Sequence, residues 1–412
     1  MSNPQYEHAL SRQTARWRLP SGARTVGWAF GAVGVVALLL ATWLGHSAAD
    51  GWRGFLRSYL VAWCFWATIS LGGLFFTAVQ HTTRAGWSVS VRRLAELCGA
   101  VMPVLAVLFL PLLVPVLVGS DALYPWVAPE AVAASELLQH KSPWLNATWF
   151  GARTVVYLAV WVWLGRLFLV GSVRQDADGD VARTIAIERF SPLALILLAL
   201  TTTFAAFDWI MSLEPTWYST IFGVYFFSGA AVAVLSALIL MAAALRASGV
   251  LRDAITVEHD HDLGKLLFAF TVFWGYIAFS QYLLIWYGNI PEETEYYLHR
   301  SHGIWGAWSL GLIVGHLVLP MAGLLSRHVK RRPMLLAFWA AWLLAMHWAD
   351  LTWLVRPSAG SNAVWSPAVD AACLFGLGGL WLAGWLHWAS HCALVPLADP
   401  RLPESLRFEN SY

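Results

Sequence analysis

Long apolar runs alternate with short polar stretches along almost the whole chain. A helix needs about 20 mostly apolar residues to cross about 30 Å of hydrocarbon, and inside lipid a helix satisfies its own backbone hydrogen bonds. The pattern predicts an all-α, polytopic membrane protein with one transmembrane domain over 26–394, a polar segment 1–25 before it and a tail 395–412 after it. Ten segments have the required length: 26–44, 58–80, 97–118, 148–169, 191–213, 219–245, 264–287, 304–325, 333–354 and 368–394.

Prolines and their neighbours predict details of three spans. Ser191-Pro192 and Ser366-Pro367 each pair a residue that caps helices with one that suits the first turn, so they predict the starts of spans 5 and 10. The third span should be kinked, because proline cannot donate the hydrogen bond that a helix interior requires; it contains Pro103, Pro111 and Pro115.

Composition and charge agree with a membrane location and predict an orientation. Hydrophobic residues make up 58% of the chain and charged residues 12%, whereas soluble domains carry about 25% charged residues. When each Lys and Arg is assigned to its nearer face, 20 fall on one side and 6 on the other. The positive-inside rule places the richer side, with both termini, in the cytoplasm. The long loop 119–147 then faces outward, with a short surface helix predicted over 129–140. The net charge of +2 argues against a nucleic-acid partner.

The sequence offers no set of ligands for a metal or a haem. His387 and His391 are four residues apart on span 10, a spacing that suits a metal on one helix face, but interfacial packing is the other interpretation. We therefore expect no cofactor bound by this chain alone, with quinone or quinol as the one candidate ligand. None of the four cysteines belongs to a CxxC pair, which argues against iron–sulfur and zinc sites: they are Cys64, Cys98, Cys373 and Cys392.

Spans 5 and 9 end in a similar way. Asp208 lies seven residues before Pro215, Asp350 lies seven residues before Pro357, and a charged residue precedes each proline. The two spans run in the same predicted direction and are four spans apart. This similarity predicts a parallel repeat of two four-helix units, spans 2–5 and spans 6–9.

Ionisable residues inside spans are candidates for chemistry, because a charge in hydrocarbon is costly. Asp208 of span 5 is a candidate for loading protons; the alternative is a purely structural ion pair with Arg153 of span 4.

A second set of polar residues follows spans 7 to 9. His347 and Asp350 are three residues apart and share one face of span 9, His316 lies on span 8, and Gln281 and Tyr282 lie on span 7. An imidazole near a carboxylate can pass protons, and the same groups could hydrogen-bond a quinone carbonyl. We expect the two histidines and Asp350 to line one hydrated cavity open toward the outer face. The alternative is a set of separate buried side chains, each satisfied by a neighbour.

The basic stretch between spans 2 and 3 is a candidate interface. It is predicted to be an amphipathic segment at the cytoplasmic surface, either anchored there by Arg and Trp or serving as a docking surface for a partner. Its candidate residues are His81, Arg84, Trp87, Arg92, Arg93 and Glu96.

Three aromatic-rich strings resemble a known family. QHTTRAGWSVSVRRLAE (80–96), FDWIMSLEPTWYSTIFGVYFFSGA (207–230) and GKLLFAFTVFWGYIAFSQYLLIWYGNIPEETEYY (264–297) resemble the ActF subunits of bacterial alternative complex III, a quinol:cytochrome c oxidoreductase. These subunits belong with the NrfD/PsrC-like membrane proteins, and the resemblance extends from about residue 26 to the end of span 10. It implies two four-helix bundles flanked by spans 1 and 10, in a bacterial inner membrane. It also implies three kinds of partner: a paralogous NrfD-like subunit, an iron–sulfur protein and haem c subunits.

We therefore expect a cofactor-free membrane subunit of a quinol-oxidising complex, which scaffolds its partners in the lipid and offers a quinone-adjacent or proton-conducting polar path. The alternatives are a standalone secondary transporter and a purely structural anchor. Transporters favour helices broken at corresponding places in both halves. Here the prolines gather in span 3, and the sequence shows no matching break in span 7.

Overall fold

The computed structural model describes residues 17–47, 50, 52–358 and 365–410, and this part of the chain contains helices and no strands. Ten of the helices are long and apolar enough to cross a membrane, which confirms the all-α fold and the number of spans. Spans 1 to 10 are, in order, Ala23–His46, Arg53–Thr82, Val89–Leu117, Ala147–Asp178, Val181–Leu213, Phe222–Ala247, Val257–Gly288, Gly303–Leu325, Pro333–Val355 and Pro367–Ala389.

Span 3 is divided as the prolines predict. It consists of the helical segments Val89–Ala100, Met102–Val107 and Leu110–Leu117, and each of the last two has a proline in its first turn. Span 10 begins where Ser366-Pro367 predicts, and the Ser366 side chain accepts a hydrogen bond from the Val369 N–H. Both predictions are confirmed because the missing N–H of proline acts locally.

The predicted start of span 5 is wrong. The helix begins at Val181, where the Asp180 side chain accepts from the Ala182 N–H, and it continues through Pro192. The Ser191 hydroxyl donates to the Ile187 carbonyl within the helix instead of capping its start. The first turns of this helix are polar and precede the apolar run, so hydropathy does not mark where the helix begins.

Short helices occupy the loops. The predicted surface helix over 129–140 is present as two helices, Pro129–Ala133 and Glu136–Lys141, and Ser135 caps the second. Others are Pro291–Ser301 between spans 7 and 8, Arg327–Lys330 before span 9 and Leu402–Leu406 near the C-terminus. Short 3₁₀ turns cover Pro125–Val127 and Met211–Leu213.

Spans 2 and 6 lie side by side at the centre. A Cβ on Gly72 of span 2 would lie 2.5 Å from the Ala230 oxygen of span 6, so this glycine permits a close approach. Span 1 is peripheral and packs on span 10, where Gly34 meets Gly379. Span 2 also contacts spans 9 and 10, and span 6 also contacts span 5. The division into two separate four-helix bundles therefore stays a prediction, and we call spans 2–5 and 6–9 the first and second half.

Both ends of the described chain lie on the same side of the helices. The Leu394 N–H donates to the Trp17 carbonyl at 2.8 Å. We call this side the terminal face and the other side the distal face. The C-terminal segment, predicted as a tail, packs on the terminal face, where the Ser405 hydroxyl donates to the Trp87 carbonyl at 2.7 Å. That the terminal face is cytoplasmic stays a prediction from charge.

Candidate functional site

Asp350 of span 9 is buried among neutral hydrogen-bond donors. Only 2% of the residue is exposed. The Tyr225 hydroxyl of span 6 donates to its Oδ1, and Trp274 Nε1 of span 7 donates to its Oδ2 at 3.2 Å. No described Lys or Arg forms an ion pair with it. A carboxylate here would therefore have two neutral partners and no countercharge.

His347 connects span 9 to span 2. Its Nε2 lies 2.9 Å from the Thr68 hydroxyl, and that hydroxyl donates its single proton to the Phe65 carbonyl at 2.8 Å. Thr68 must then accept from His347, which assigns the ring proton to Nε2. The Nδ1 atom carries the lone pair and has no partner among the described residues. His347 thus presents a buried, unused proton acceptor.

Gly229 of span 6 makes room for both side chains. A Cβ at this position would lie 2.8 Å from Cε1 and 3.0 Å from Nδ1 of His347, and 4.0 Å from Oδ2 of Asp350. The free imidazole nitrogen and the carboxyl group therefore border the same glycine. Any larger residue here would have to displace the imidazole.

His316 of span 8 approaches Asp350 through an indole ring. Its ring stacks on Trp274 with centroids 3.8 Å apart, while the same indole donates to Asp350. His316 is fully buried, and neither ring nitrogen has a partner among the described residues. It lies in a π-helical turn, Ile313–Val318, a feature that occurs frequently at functional sites. The Trp342 indole donates to the Gly315 carbonyl of this turn at 2.7 Å.

These contacts define an interior cluster that consists of Asp350, His347, His316, Tyr225 and Trp274. Its members come from spans 6, 7, 8 and 9, and Thr68 attaches it to span 2. Four of them carry an ionisable group, and none has a charged partner of opposite sign within the described chain. The cluster therefore brings a buried carboxyl group close to imidazole nitrogens that have no hydrogen-bond partner among the described residues.

The prediction that these residues line an open cavity is wrong. His316, His347 and Asp350 are at most 2% exposed, and the Trp274 indole separates His316 from Asp350. The surrounding spans enclose the cluster within the protein, so these three side chains do not line a cavity open to the outer face.

Gln281 and Tyr282 lie apart from the cluster. Gln281 donates to the Tyr297 hydroxyl at 3.0 Å and accepts from the Ser219 hydroxyl at 3.1 Å, so it connects span 7 to two loops. Burial raises the pKa of Tyr297 to about 12, so this loop hydroxyl stays protonated. Tyr282 is 43% exposed and touches only the edge of Tyr297. The set of polar residues predicted along spans 7 to 9 therefore separates into the interior cluster, the structural amide of Gln281 and the exposed side chain of Tyr282.

Asp208 of span 5 forms an ion pair with Arg153, which was one of the two roles considered for it. Arg153 of span 4 binds it with two nitrogens, Nε to Oδ2 at 2.8 Å and Nη2 to Oδ1 at 2.9 Å. Tyr157 donates to Oδ2 at 2.9 Å and Trp144 Nε1 donates to Oδ1 at 3.0 Å. The carboxylate is fully buried, and the guanidinium lies 4.0 Å from the Trp144 ring centroid. All its acceptor positions are used, as expected for a structural ion pair that joins spans 4 and 5.

The expected docking surface between spans 2 and 3 is largely buried. Glu96 forms ion pairs with Arg92 at 3.3 Å and with Arg93 at 3.0 Å, and all three are at most 2% exposed. Arg93 also pairs with Asp176 of span 4 at 3.0 Å, and Arg92 pairs with Asp399 of the C-terminal segment. These three side chains are therefore buried within the chain, and Arg92 and Arg93 are in contact with its C-terminal segment.

The remaining residues of that stretch differ in exposure. His81 is buried and stacks on Phe168, with centroids 6.2 Å apart. Trp87 is half-buried against Phe408. The Arg84 side chain is 70% exposed and pairs with Glu188 at 3.2 Å. Arg84 is therefore the most exposed of the candidate docking residues in this stretch.

No described group of three or more His, Cys, Asp or Glu residues is arranged to hold a metal ion. The rings of His387 and His391 lie 4.7 Å apart, and His391 also accepts a hydrogen bond from Arg24 of span 1. The four cysteines are buried free thiols.

Several residues of the site escaped the sequence analysis. Four of them are of residue types that are common in membrane helices, and their roles depend on which helix faces they occupy: Tyr225, Trp274, Thr68 and Gly229. Arg300 was also missed: it lies in the loop helix Pro291–Ser301, is 1% exposed and pairs with Glu214 at 2.6 Å. An arginine next to the aromatic pair Tyr296-Tyr297 was the available signal, since arginine stacks readily on aromatic rings.

No protein-family model matches the chain, and no curated protein matches it in sequence. Membership of the family that the sequence resembles therefore stays a prediction.

Proposed function

We propose that this chain is a membrane subunit of a quinol-oxidising complex, that it holds no redox centre of its own, and that its second half stores and passes a proton at Asp350. The observation that carries this proposal is the environment of Asp350, a carboxyl group inside the membrane domain that has two neutral donors and no cation among the described residues. Intramembrane ionisable groups are costly and mark proton relays in pumps and transporters.

The proposed step is an exchange between Asp350 and His347. A proton leaves the carboxyl group, and the carboxylate keeps the hydrogen bonds from Tyr225 and Trp274. The acceptor is Nδ1 of His347, whose lone pair is unused and which borders the same glycine, Gly229. The two groups share no hydrogen bond in this structure, so the proposed transfer requires a side-chain rotation or one bridging water. The imidazolium retains its Nε2–H bond to Thr68, so the ring stays in place while its charge changes.

The resemblance supplies the context of this proposal. The partners would be a paralogous NrfD-like subunit, an iron–sulfur protein and haem c subunits, together with quinol and membrane lipid. The location would be the bacterial inner membrane with both termini in the cytoplasm. A chain tagged at its C-terminus and extracted in mild detergent should co-purify with haem-containing partners, whereas a standalone transporter should be purified alone. A purely structural anchor would also co-purify, and the proton measurements below distinguish it from the proposed subunit.

The transporter alternative gains no support from the helices. A transporter would favour interruptions at corresponding places in the two halves. Span 3 is interrupted, but span 7, its counterpart in the repeat, is one continuous helix, Val257–Gly288.

The test uses the two buried carboxyl groups as a matched pair. Infrared difference spectra after a pH step should contain a protonated-carboxyl band that Asp350→Asn removes and Asp208→Asn leaves. In proteoliposomes of the intact complex, Asp350→Asn should lower the number of protons moved per electron while quinol oxidation continues. Asp350→Glu should restore part of that number, because it returns a titratable group. An unchanged proton-to-electron ratio in Asp350→Asn would remove the proposal.

A further inference from the structure

A narrow apolar cavity lies where the two halves meet. Its volume is about 310 Å³, and it is lined by span 2 over 71–79, by span 5 over 195–203 and by span 6 over 223–230. Every lining residue is apolar except Thr202 and Thr203, and none is charged. The cavity is separate from the interior cluster, because Ala230 lines the cavity whereas Gly229 contacts His347.

The cavity opens sideways, toward the surface that faces lipid. Among its lining residues Ala199 of span 5 and Val224 of span 6 are exposed. Their neighbours on that surface include Ile196 and Leu200, which are 57% and 54% exposed. In a membrane this surface is in contact with hydrocarbon, so the medium at the mouth of the cavity is lipid chains.

The dimensions of the cavity select its occupant. Residues 71–79 and 195–203 each extend about 12 Å along a helix at a rise of about 1.5 Å per residue. The cavity has a volume of about 310 Å³ over that length. A helix about 10 Å wide would occupy roughly 960 Å³ over the same 12 Å and does not fit. Water does not fill a space with an apolar lining.

We infer that this cavity binds one acyl chain of a membrane phospholipid, which completes the packing between spans 2 and 5 of the first half and span 6 of the second half. We assign an acyl chain and not the isoprenoid tail of a quinone, because phospholipid chains are the bulk medium at the mouth of the cavity. The absence of a charged lining residue fits a ligand whose headgroup stays outside, at the membrane surface. The inference does not depend on the proposed proton function.

The experiment uses the full chain in nanodiscs whose phosphatidylethanolamine and phosphatidylglycerol carry a diazirine at the middle of one acyl chain. After photolysis and digestion, mass spectrometry should find adducts on 195–203 and 223–230 several-fold above those on span 1, whose lipid-facing residues Val33 and Leu39 are simply exposed. Ala199→Phe, which fills the mouth, should abolish this excess. Leu200→Phe, one residue away on the lipid-facing surface, should leave it unchanged.

Val224→Phe fills the mouth from span 6 and provides the same test if Ala199→Phe does not fold. Equal labelling of the cavity and span 1, or an excess that survives both filling variants, would overturn the inference. An isoprenoid quinone with a diazirine in its tail provides the last arm. If it labels the cavity and displaces the phospholipid probe, the occupant is a quinone tail and the acyl-chain inference is wrong.

Discussion

Asp208 and Asp350 occupy similar positions in sequence, seven residues before a proline at the distal end of spans 5 and 9, yet their surroundings differ. Asp208 accepts four hydrogen bonds, two of them from the Arg153 guanidinium. Asp350 accepts two, both from neutral groups. One half of the molecule thus pairs its buried carboxylate with a countercharge, whereas the carboxyl group of the other half has only neutral partners among the described residues.

The difference shows that similar positions in two helices can place a buried carboxyl group in two different electrostatic environments. A paired ion tolerates burial only when its hydrogen bonds are complete, and Asp208 meets that condition. A group that changes its charge needs an environment that accepts both states. Neutral donors such as Tyr225 and Trp274, with an unused imidazole nitrogen beside them, provide such an environment for Asp350.

Removing the guanidinium of Arg153, which pairs with Asp208, should have the largest effect on stability. Arg153→Leu leaves the Asp208 carboxylate buried without a countercharge, and the loss of one partner from a buried pair costs about 3–5 kcal/mol. We expect a matching decrease in the free energy of unfolding, measured by denaturant titration in mild detergent. The double variant Arg153→Leu plus Asp208→Asn should recover most of the loss. A double variant no more stable than Arg153→Leu alone would show that the loss does not come from leaving the Asp208 carboxylate unpaired.

Crowding the interior cluster should have an intermediate effect. In Gly229→Ala the new Cβ would lie 2.8 Å from Cε1 of His347, so the imidazole must move away from Thr68. Overpacking of this kind costs about 1–3 kcal/mol. The matched control is Gly311→Ala in span 8, where a Cβ meets no atom within 4 Å. Thermal unfolding should separate the two variants, and equal melting temperatures would contradict the packing of His347 against Gly229.

Removing a neutral donor from the second half should have the smallest effect on stability. Tyr225→Phe deletes one hydrogen bond to Asp350, and hydrogen bonds within membrane domains contribute about 0.6 kcal/mol on average. Tyr157→Phe, which removes the corresponding hydroxyl from Asp208, is the control. We expect both to unfold nearly like the wild type, but only Tyr225→Phe to shift the pH dependence of the protonated-carboxyl infrared band. If Tyr157→Phe shifts the band and Tyr225→Phe does not, the roles assigned to the two halves are reversed.

The interface at the terminal face shows why burial cannot be predicted from a local pattern. Arg92, Arg93 and Glu96 have the composition of a surface segment, but they are buried beneath residues that lie some 300 positions later in the chain. Ion pairs with Asp176 and Asp399 make this burial tolerable. Neither partner is visible from the stretch itself.

The sequence by itself determined the ten spans, the interruption of span 3 and the ionisable residues that lie inside the membrane domain. These follow from local properties, since apolar length and proline act on the residues around them. Even the Asp208–Arg153 pair could be anticipated, because both residues stand out as charges in neighbouring spans.

Only the tertiary structure decided which buried acid is paired and which is not. The partners of Asp350 and His347 come from spans 2, 6 and 7, which are distant in sequence, and their side chains meet only after each helix has adopted its rotation and depth. Hydropathy is nearly unchanged when a helix rotates, whereas the contacts of a carboxyl group change completely. The cavity between spans 2, 5 and 6 has the same origin, because its shape is set by how three helices pack together and not by the composition of any one of them.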